Sequence, residues 1–517
     1  MLVSARGLLR TIAAVTIALA LVGGAVANTI TGPGSSQSPY VVRSVPGVVT
    51  KAILSVGDSV NAKPDGTPYR LVGIPDGLGA FDNGDGTFTL LMNHELGSSQ
   101  GVIRAHGARG AFVSRWTIEK DSLRVLHGED LIQTLHTWNG ADWQVSNTDA
   151  APARLNRLCS ADLPAPSAFY NPASGNGYDG RLFMDGEEGG TTGRPWGHVV
   201  ATGDSWELTP WLGNMSYENV VANAHTGDAT VVMNLDDGDA TVGQQVYLYR
   251  GTKTDAGNPV EKAGLTNGKL YGVKVLGIPQ SEYQKTDWKV GDEFEFELVD
   301  VSAHAGVGGP GPNTLDGDSQ ALGVTNFQRP EDGSWDPQHP SDFYFDTTSS
   351  FGPRPDENRT GQTRLWRLRF DDPADPSKGG TITLLINGPV GTADSPSASG
   401  TQSASSPSPQ MFDNITVNDR GQVLLVEDVG SQAYRGGAWL YTIASGTLVK
   451  IAEHDPDRFT PGASGFLTKD EEMSGIIPAR FLGEGWYLLD VQVHYATDAE
   501  LVQGGQLLAL HIPPGLK

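Results

Sequence analysis

The stretch RLFMDGEEGG (181–190) places four strand-forming residues, Arg181 to Met184, directly before three carboxylates, Asp185, Glu187 and Glu188. Strands of globular proteins usually end in turn residues such as Gly, Asn or Pro rather than in a group of acids. Closely spaced carboxylates repel one another, because each negative charge disfavours ionisation of the next. The acids at this strand end therefore need an explanation from the fold.

The same pattern occurs six times along the chain. Each copy has a turn signal, then a short run of strand-forming residues, then acidic, amide or histidine side chains. The copies are DGTFTLLMNHE (85–95), YDGRLFMDGEE (178–188), TGDATVVMNLDD (226–237), HPSDFYFDTT (339–348), NDRGQVLLVED (418–428) and GEGWYLLDVQVH (483–494).

A polar cluster precedes each copy, and a further strand-forming run follows it. The clusters are IPDGLGAFD (74–82), RLCSADLP (157–164), MSYENVV (215–221), RPEDGSWDP (329–337), MFDNITV (411–417) and DEEMSGI (470–476). The order of cluster, strand, turn and strand is typical of one blade of a β-propeller. The 66 glycines and 32 prolines also favour short strands joined by turns. We therefore predict an all-β fold, a six-bladed β-propeller with loop insertions; a two-domain β-sandwich is the alternative.

The N-terminus has the pattern of an export signal. Arg6 and Arg10 precede an apolar run over 11–22, and small residues at 25 and 27 form a cleavage site. We expect residues 1–27 to be a signal peptide and the protein to be secreted or otherwise extracytoplasmic, with an uncleaved anchor as the alternative. Residues 28–517 are then expected to form a single propeller domain.

Within that domain the segment 392–410, TADSPSASGTQSASSPSPQ, is rich in serine and proline. Such a composition is typical of a surface loop, and we predict a loop insertion there. No stretch after residue 27 is apolar for long enough to span a bilayer, which argues against a stable membrane anchor.

The formal net charge is −24. An acidic chain repels nucleic acid and anionic lipid, so we expect neither as a partner and take an acidic monomer as the default state. Cys159 is the single cysteine and therefore cannot form an internal disulfide. On sequence alone such a thiol is most often a small buried apolar group.

The repeated acids have a physical explanation if the fold is a propeller. We expect the six repeated strands to be the innermost ones, so that the loops after them meet at the axis and six sets of polar groups converge there. Bound cations offset the repulsion between carboxylates, and the oxygens of Asp, Glu and Asn suit a hard cation such as Ca²⁺. We therefore expect a calcium-binding axis.

Several motifs, in this order, resemble those of the PhoX-type alkaline phosphatases. They are LLMNHE (90–95), RLCSADL (157–163), MDGEE (184–188), SYEN (216–219), RPEDGSWDP (329–337) and FDNITV (412–417). The resemblance implies a six-bladed propeller that hydrolyses phosphomonoesters at a site holding Fe³⁺ and Ca²⁺, with a cysteine among the iron ligands. Typical members have Pro-Trp-Gly before the paired glutamates, whereas here RPWGH (194–198) follows them, so the chain looks like a divergent branch.

The resemblance also implies roles for individual residues. Arg329 would bind phosphate through its planar guanidinium, and Glu218 would act with it in catalysis and as a metal ligand. The full set of expected metal ligands is Asn93, Glu95, Cys159, Glu187, Glu188, Glu218, Glu331, Asp413 and Asn414. Of the adjacent glutamates we favour Glu188, because neighbouring strand residues point to opposite faces and Gly189-Gly190 lets the chain turn away.

These inferences predict a secreted, metal-dependent phosphatase acting on a small phosphate ester, with a metal-activated water or oxo group as nucleophile. His94, His198 and His494 are candidates for protonating the leaving group, although hydrogen-bonded loop histidines are the more common case. One rival is a Ca²⁺-dependent propeller esterase, such as a lactonase or phytase. Another is a non-catalytic, Ca²⁺-stabilised surface propeller that binds partners.

Overall fold

The computed structural model describes residues 29–238, 244–304, 315–349, 361–389, 404–405, 408–430 and 434–517. The expected signal peptide (1–27) and most of the expected loop insertion (392–410) lie outside these residues. Strands dominate the described chain, as expected for an all-β protein.

The strands of the first part of the chain are mostly three to eight residues long. They are β1 (Thr29–Thr31), β2 (Val41–Arg43), β3 (Val49–Ser55), β4 (Ser59–Ala62), β5 (Pro68–Arg70), β6 (Pro75–Asp82), β7 (Thr87–His94), β8 (Phe112–Glu119), β9 (Val125–Asp130), β10 (Thr134–Trp138), β11 (Trp143–Val145), β12 (Leu158–Asp162), β13 (Tyr170–Asn171), β14 (Asn176–Gly177), β15 (Leu182–Glu187), β16 (Pro195–Val199) and β17 (Asp204–Glu207).

The second part continues in the same way. Its strands are β18 (Tyr217–Ala222), β19 (Ala229–Asp236), β20 (Val246–Thr252), β21 (Lys269–Val275), β22 (Glu293–Asp300), β23 (Pro330–Trp335), β24 (Asp342–Thr347), β25 (Arg364–Phe370), β26 (Gly380–Asn387), β27 (Ala404–Ser405), β28 (Phe412–Val417), β29 (Gln422–Glu427), β30 (Tyr434–Arg435), β31 (Gly437–Thr442), β32 (Thr447–His454), β33 (Glu471–Pro478), β34 (Trp486–Val493) and β35 (Gly504–His511).

The α-helices of the described residues are short and lie in connections between strands. They are α1 (Thr209–Leu212), α2 (Pro259–Lys262), α3 (Leu315–Ala321) and α4 (Pro456–Phe459). In the described residues no helix has both the length and the apolar character needed to cross a membrane.

Five sheets carry the architecture. Their strand orders are β6-β7-β8-β9; β11-β10-β17-β16-β15-β12; β18-β19-β20-β21-β22-β26-β25-β24-β23; β28-β29-β31-β32-β2; and β33-β34-β35-β3-β1. Six strands lie at edges of these sheets: β6, β12, β18, β23, β28 and β33. Each of them packs against the next in that order, and β33 packs against β6. These six strands form a closed ring around an axis, so the fold is propeller-like.

The ring corrects one detail of the sequence analysis. We expected the six repeated strands to be innermost, with polar clusters before them, but the clusters themselves form the inner strands and the repeated runs lie second. The stretch 182–187 is β15, which pairs with the inner strand β12. The physical reason is a β-bulge in every inner strand, which breaks the alternation of apolar and polar residues that would reveal a strand.

Each sheet buries both of its faces against the neighbouring sheets, which is why the second strands are almost continuously apolar. All eight residues of β19 are buried, for example. Tyr344 and Leu365 of one sheet pack with Phe412 and Leu425 of the next in one core cluster. Burying a side chain such as Leu425 stabilises the fold by about 1.5–3 kcal/mol.

The two ends of the chain close the ring. The N-terminal strand β3 pairs antiparallel with β35 near the C-terminus, with Val49 opposite His511. In the same region β2 adds to the preceding sheet, with Val41 opposite His454. The backbone hydrogen bonds between the ends replace a covalent link that Cys159, the single cysteine, cannot supply.

Candidate metal centre

A cavity of about 50 Å³ lies on the axis at one end of the inner strands. Nine carboxylates, one thiol and two guanidinium groups line it: Asp76, Glu95, Arg157, Cys159, Glu188, Glu218, Asp237, Arg329, Glu331, Asp413, Asp428 and Glu472. The negative groups far outnumber the two cations that the chain itself supplies. A cavity with this balance favours bound cations.

These residues stand at three positions that recur around the ring of inner strands. The first is the second residue of each inner strand, which lies at or next to the bulge. This position holds Asp76, Cys159, Glu218, Glu331, Asp413 and Glu472 in the six successive inner strands. Because the bulge leaves this residue out of the regular ladder, its side chain turns toward the axis.

We call each inner strand, together with the strands that follow it in the chain up to the next inner strand, one unit of the ring. The second repeated position is the residue that follows the second strand of each unit. It holds Glu95, Glu188, Asp237, Thr348, Asp428 and His494. The four acids among them line the cavity. The remaining two units present a hydroxyl group and an imidazole at this position instead.

The third repeated position is the residue just before each inner strand. Arg157 and Arg329 occupy it in two of the six units, and both have left-handed backbone conformations, with φ of 47° and 58°. Ile74 and Met411 occupy it in two others, with φ of 49° and 48°. The shared conformation turns the chain into the inner strand, and the two arginines line the cavity from it.

The donor atoms form three groups in which ligand atoms lie within 4.8 Å of one another. The groups are Asp76-Glu95-Cys159, Glu218-Glu331-Asp413 and Asp413-Asp428-Glu472. Two groups offer only carboxylate oxygens, which suits hard cations such as Ca²⁺. The first group adds a thiol, a softer ligand that suits iron.

The carboxylates raise one another's pKa. Burial and then the neighbouring negative charges hold the pKa of Asp76, Glu218, Glu331 and Asp413 well above the usual range. Burial raises the pKa of Glu188 to about 8, in spite of the opposing charge of Arg157. These shifts are the cost of collecting acids at one point, and a bound cation would reverse them.

Cys159 lies inside the cavity wall rather than in an apolar core. Its side chain is 3% exposed, and its Sγ donates to Oε2 of Glu188 at 3.3 Å. Burial and then the charge of Glu95 hold the thiol pKa well above its usual range. Without a cation the thiol is therefore protonated, and metal binding would displace that proton.

The two arginines pair with the cavity acids. Arg329 donates from Nε and Nη2 to the two oxygens of Asp237, both at 2.7 Å, and lies 2.9 Å from Glu331. Arg157 donates from Nε to Oε1 of Glu95 at 2.7 Å and also pairs with Glu188.

Comparison with known proteins places the chain in a family. The profile of the family described as "Alkaline phosphatase PhoX" matches residues 206–477, more than half of the chain. The chain belongs to the PhoX family. Its class of reaction is therefore the hydrolysis of phosphomonoesters.

One solved structure supports the fold. The structure of Pseudomonas fluorescens PhoX in complex with vanadate, a transition-state analogue, is 14% identical, with a TM-score of 0.54 over 94% of this chain and 97% of that chain. An α-L-arabinofuranosidase from Fusarium graminearum is 8% identical, with a TM-score of 0.39 over 84% of this chain and 96% of that chain; this likeness carries no argument. A search of curated protein sequences finds no match.

The structure brings six of the nine expected metal ligands of this PhoX-family chain into the cavity: Glu95, Cys159, Glu188, Glu218, Glu331 and Asp413. Arg329 lies there with them. Glu187 does not, because Arg194 binds both of its oxygens, at 2.5 and 2.8 Å, and the backbone N–H of Asn156 donates to it at 2.9 Å.

Asn93 and Asn414 lie behind the cavity rather than in its lining. Nδ2 of Asn93 donates to the carbonyl oxygen of Cys159 at 2.7 Å, so this amide holds the backbone that carries the thiol. Nδ2 of Asn414 donates to Oγ of Ser160, which in turn donates to Oε1 of Glu218 at 2.5 Å. Asn93 therefore positions the backbone of Cys159, and Asn414 positions Glu218 through the hydroxyl group of Ser160.

The three acids of the opening stretch now have three different surroundings. Asp185 is fully buried and pairs with His198 at 2.9 Å inside the sheet. Glu187 pairs with Arg194, and Glu188 reaches the cavity. The RPWGH segment (194–198) supplies both partners, since β16 (Pro195–Val199) lies directly beside β15.

Of the three candidate histidines, only His494 borders the cavity acids. His94 and His198 are fully buried, and their ring nitrogens pair with Ser114 and Ser205. His494 lies 3.5 Å from Oε2 of Glu472. Burial opposes its charge, but the bond to Glu472 raises the pKa of His494 to about 10.

Sequence reasoning missed five of the cavity residues, Asp76, Arg157, Asp237, Asp428 and Glu472. All five stand in the quoted clusters and repeats, so a signal was present. Aligning the clusters on the second residue of each inner strand would have found Asp76 and Glu472. Aligning the repeats on the residue after each second strand would have found Asp237 and Asp428.

Proposed function

We propose that this PhoX-family chain is a metal-dependent phosphatase that hydrolyses small phosphomonoesters in the axial cavity. The observation that carries the proposal is the convergence of nine carboxylates, a thiol and two guanidinium groups on one small cavity. A cavity without cations would repel a phosphate dianion, so substrate binding here requires them.

We infer that the cations are calcium and iron, held by the three groups of donor atoms described above. The fit is supported by the raised pKa values of the carboxylates and by Oδ1 of Asp76, which is buried without a hydrogen-bond partner among the described residues. Cys159 would favour iron in its group, and the carboxylate of Glu188, which accepts a hydrogen bond from its Sγ, lies beside it. When bound, such cations neutralise phosphate oxygens and activate the attacking water.

The chain's own residues would bind and orient the substrate. Arg329 presents a planar fork of donors that matches two phosphate oxygens and stabilises charge on the transferring group. Glu218 is held in place by Ser160 and keeps one oxygen toward the cavity. The acidic lining of the cavity disfavours nucleic acid, whose backbone is a chain of negative charges, and so favours small esters.

We further propose the arrangement around this site. The six inner strands support a six-bladed propeller formed by residues 28–517 as one domain, with a loop insertion at 392–410. The pattern of residues 1–27 supports export by a signal peptide and action outside the cytoplasm. The acidic net charge supports a monomer without a membrane anchor.

The decisive experiment is metal analysis of the purified protein together with hydrolysis of p-nitrophenyl phosphate. We expect bound iron and calcium, loss of turnover after chelation, and recovery after both metals are restored. Calcium without iron and without turnover would instead support a binding propeller. Turnover of a lactone in place of the phosphate ester would support the esterase alternative.

The thiol offers a sharper test within the same assay. Cys159→Ser should lose iron and most of the turnover while keeping calcium, because serine is a poor ligand when it is protonated. Ser205→Ala, which changes a buried hydroxyl group away from the cavity, is the matched control and should keep both metals. Unchanged iron in Cys159→Ser would rule out the ligand role of the thiol.

A further inference from the structure

Arg157 is the structural counterpart of Arg329 in another unit of the ring. Each is the residue immediately before an inner strand, β12 or β23, and each has a left-handed backbone, with φ of 47° and 58°. That conformation is unfavourable for a non-glycine residue. Both arginines are therefore turned toward the cavity by the same backbone device.

Their contacts follow the same plan. Arg329 joins Asp237 of the preceding unit to Glu331 of its own. Arg157 joins Glu95 of the preceding unit, at 2.6 Å from Nη2, to Glu188 of its own. Each guanidinium therefore bridges two carboxylates from adjacent units; the acid of the preceding unit stands at the second repeated position in both cases, whereas the acid of its own unit stands at the first position for Arg329 and at the second for Arg157.

The two differ in how much of the guanidinium is available. The side chain of Arg157 is 46% exposed and that of Arg329 is 25% exposed. In the described part of the chain, Nη1 makes no hydrogen bond in either arginine, and the acids hold Nε and Nη2 of both, so the difference lies in exposure alone. Arg157 thus lies at the mouth of the cavity with donors to spare.

A guanidinium placed there has a chemical use in a phosphatase. Cations held by Glu95 and Glu188 would compete with Arg157 for the same carboxylate oxygens and release its donors. A planar fork of donors then matches the terminal oxygens of a phosphate dianion. Burial of the neighbouring acids keeps the local dielectric low, which strengthens such a contact.

We propose that Arg157 is a second phosphate-binding residue, forming with Arg329 a two-armed clamp that grips the substrate from two units of the ring. The proposal rests on the proposed phosphatase function. Because Arg157 is the more exposed arm, it contributes mainly to capture of the phosphate group. Its loss should raise KM and weaken inhibition by inorganic phosphate, whereas loss of the deeper Arg329 should mainly lower kcat.

The test uses the metal-loaded, full-length protein and inorganic phosphate as the probe. Phosphate affinity is measured by calorimetry, and its inhibition constant by turnover of p-nitrophenyl phosphate, for Arg157→Gln and Arg157→Lys. We expect Arg157→Gln to weaken phosphate binding about tenfold or more with iron and calcium content unchanged, since a charged hydrogen bond is lost. Arg157→Lys should recover part of the affinity, because it keeps the charge but not the fork.

Arg124→Gln is the matched control, because among the described residues this exposed arginine forms its ion pair with Glu119 alone and does not line the cavity. It should leave phosphate affinity and KM unchanged. Unchanged phosphate affinity in a metal-loaded Arg157→Gln protein overturns the proposal. The proposal is also overturned if Arg157→Gln loses part of its metal while the molecules that keep their metal bind phosphate normally. Arg157 would then be a structural ion-pair partner.

The two proposals fail in distinguishable ways. Calorimetry reports phosphate binding even if the protein turns over no ester, so a wild-type protein that binds phosphate without turnover refutes the phosphatase function and still tests Arg157. A loaded wild-type protein that binds no phosphate refutes both.

Discussion

Glu427 and Asp428 are neighbours in the chain but belong to two different regions of the molecule. Glu427 ends β29 and lies in the interior of a sheet, where three donors reach its oxygens: the N–H groups of Gln410 and Gly437, both at 2.7 Å, and Nε1 of Trp439 at 2.8 Å. Asp428 is the next residue and faces the axial cavity.

Glu427 is fully buried and Asp428 is partly buried, and burial raises the pKa of each to about 7. The next-largest cause has the opposite sign in the two acids. Hydrogen bonds oppose the shift at Glu427, whereas the charge of Glu472 adds to it at Asp428. Burial alone therefore does not identify a functional acid. The useful distinction is whether the protein supplies donors for the carboxylate or leaves it among other carboxylates.

The largest effect is expected from the interior acid. Glu427→Ala leaves the three buried donors of Gln410, Gly437 and Trp439 without an acceptor, and each unpaired donor costs about 1–3 kcal/mol. We expect a loss of about 3 kcal/mol or more in the free energy of unfolding, measured by urea titration with tryptophan fluorescence. Glu484→Ala, at a side chain that is 68% exposed, is the control and should change stability by less than about 0.5 kcal/mol. A loss no larger than the control's would remove the distinction between the two regions.

The same two regions explain which parts of the fold could be predicted from the sequence. The second strands of the units are apolar on both faces, so runs such as TLLM in β7 and VVM in β19 indicated strands. The inner strands carry polar residues at a bulge, which erases the period of two on which strand prediction depends. They were therefore interpreted as clusters before a strand.

Closure of the ring had no local signal at all. Val49 and His511 are opposite each other in β3 and β35, yet lie at the two ends of the chain. For the site, resemblance to PhoX indicated Glu218, Glu331 and Arg329 through their motifs. Alternation of side chains indicated that only one of the adjacent glutamates faces the metal, and the two glycines that follow favoured Glu188. Arg157 was missed although it opens its cluster as Arg329 opens RPEDGSWDP, because the clusters were not aligned on the second residue of each inner strand.

A buried histidine extends the comparison to a base. Burial lowers the pKa of a base and raises that of an acid, so the two should change stability with pH in opposite directions. His454 is fully buried in the sheet interior, and neither ring nitrogen has a hydrogen-bond partner among the described residues. Burial, and then Arg435 and Lys450, lower its pKa to about 3. Between about pH 6.5 and pH 3 this imidazole is therefore protonated in the unfolded chain but neutral in the folded protein. The free energy of unfolding decreases as the pH falls through that range.

From His454 alone we expect a loss of about 2 kcal/mol between pH 8 and pH 5. The measurement is the urea midpoint at both pH values for the wild type and for His454→Leu. The variant should lose less stability on acidification, whatever its stability at pH 8. Equal losses in the two proteins would show that His454 is protonated in the folded state or is not responsible for the acid sensitivity.

The smallest effect, and the most informative about the cavity, is expected at Asp428. Its folded pKa of about 7 lies above that of the unfolded chain, so the metal-free protein binds the extra proton and loses stability as the pH rises from about 4 to about 7. Asp428→Asn removes the charge and keeps an acceptor for the N–H of Gly430, which now donates to Oδ1 at 2.8 Å. In chelated protein at pH 8 we expect a gain of about 1 kcal/mol. In metal-loaded protein the sign should reverse, because the cation loses a ligand. A variant less stable than the wild type even without metal would mean that Asp428 is satisfied by the protein itself, as Glu427 is, and that the cavity does not depend on cations at this position.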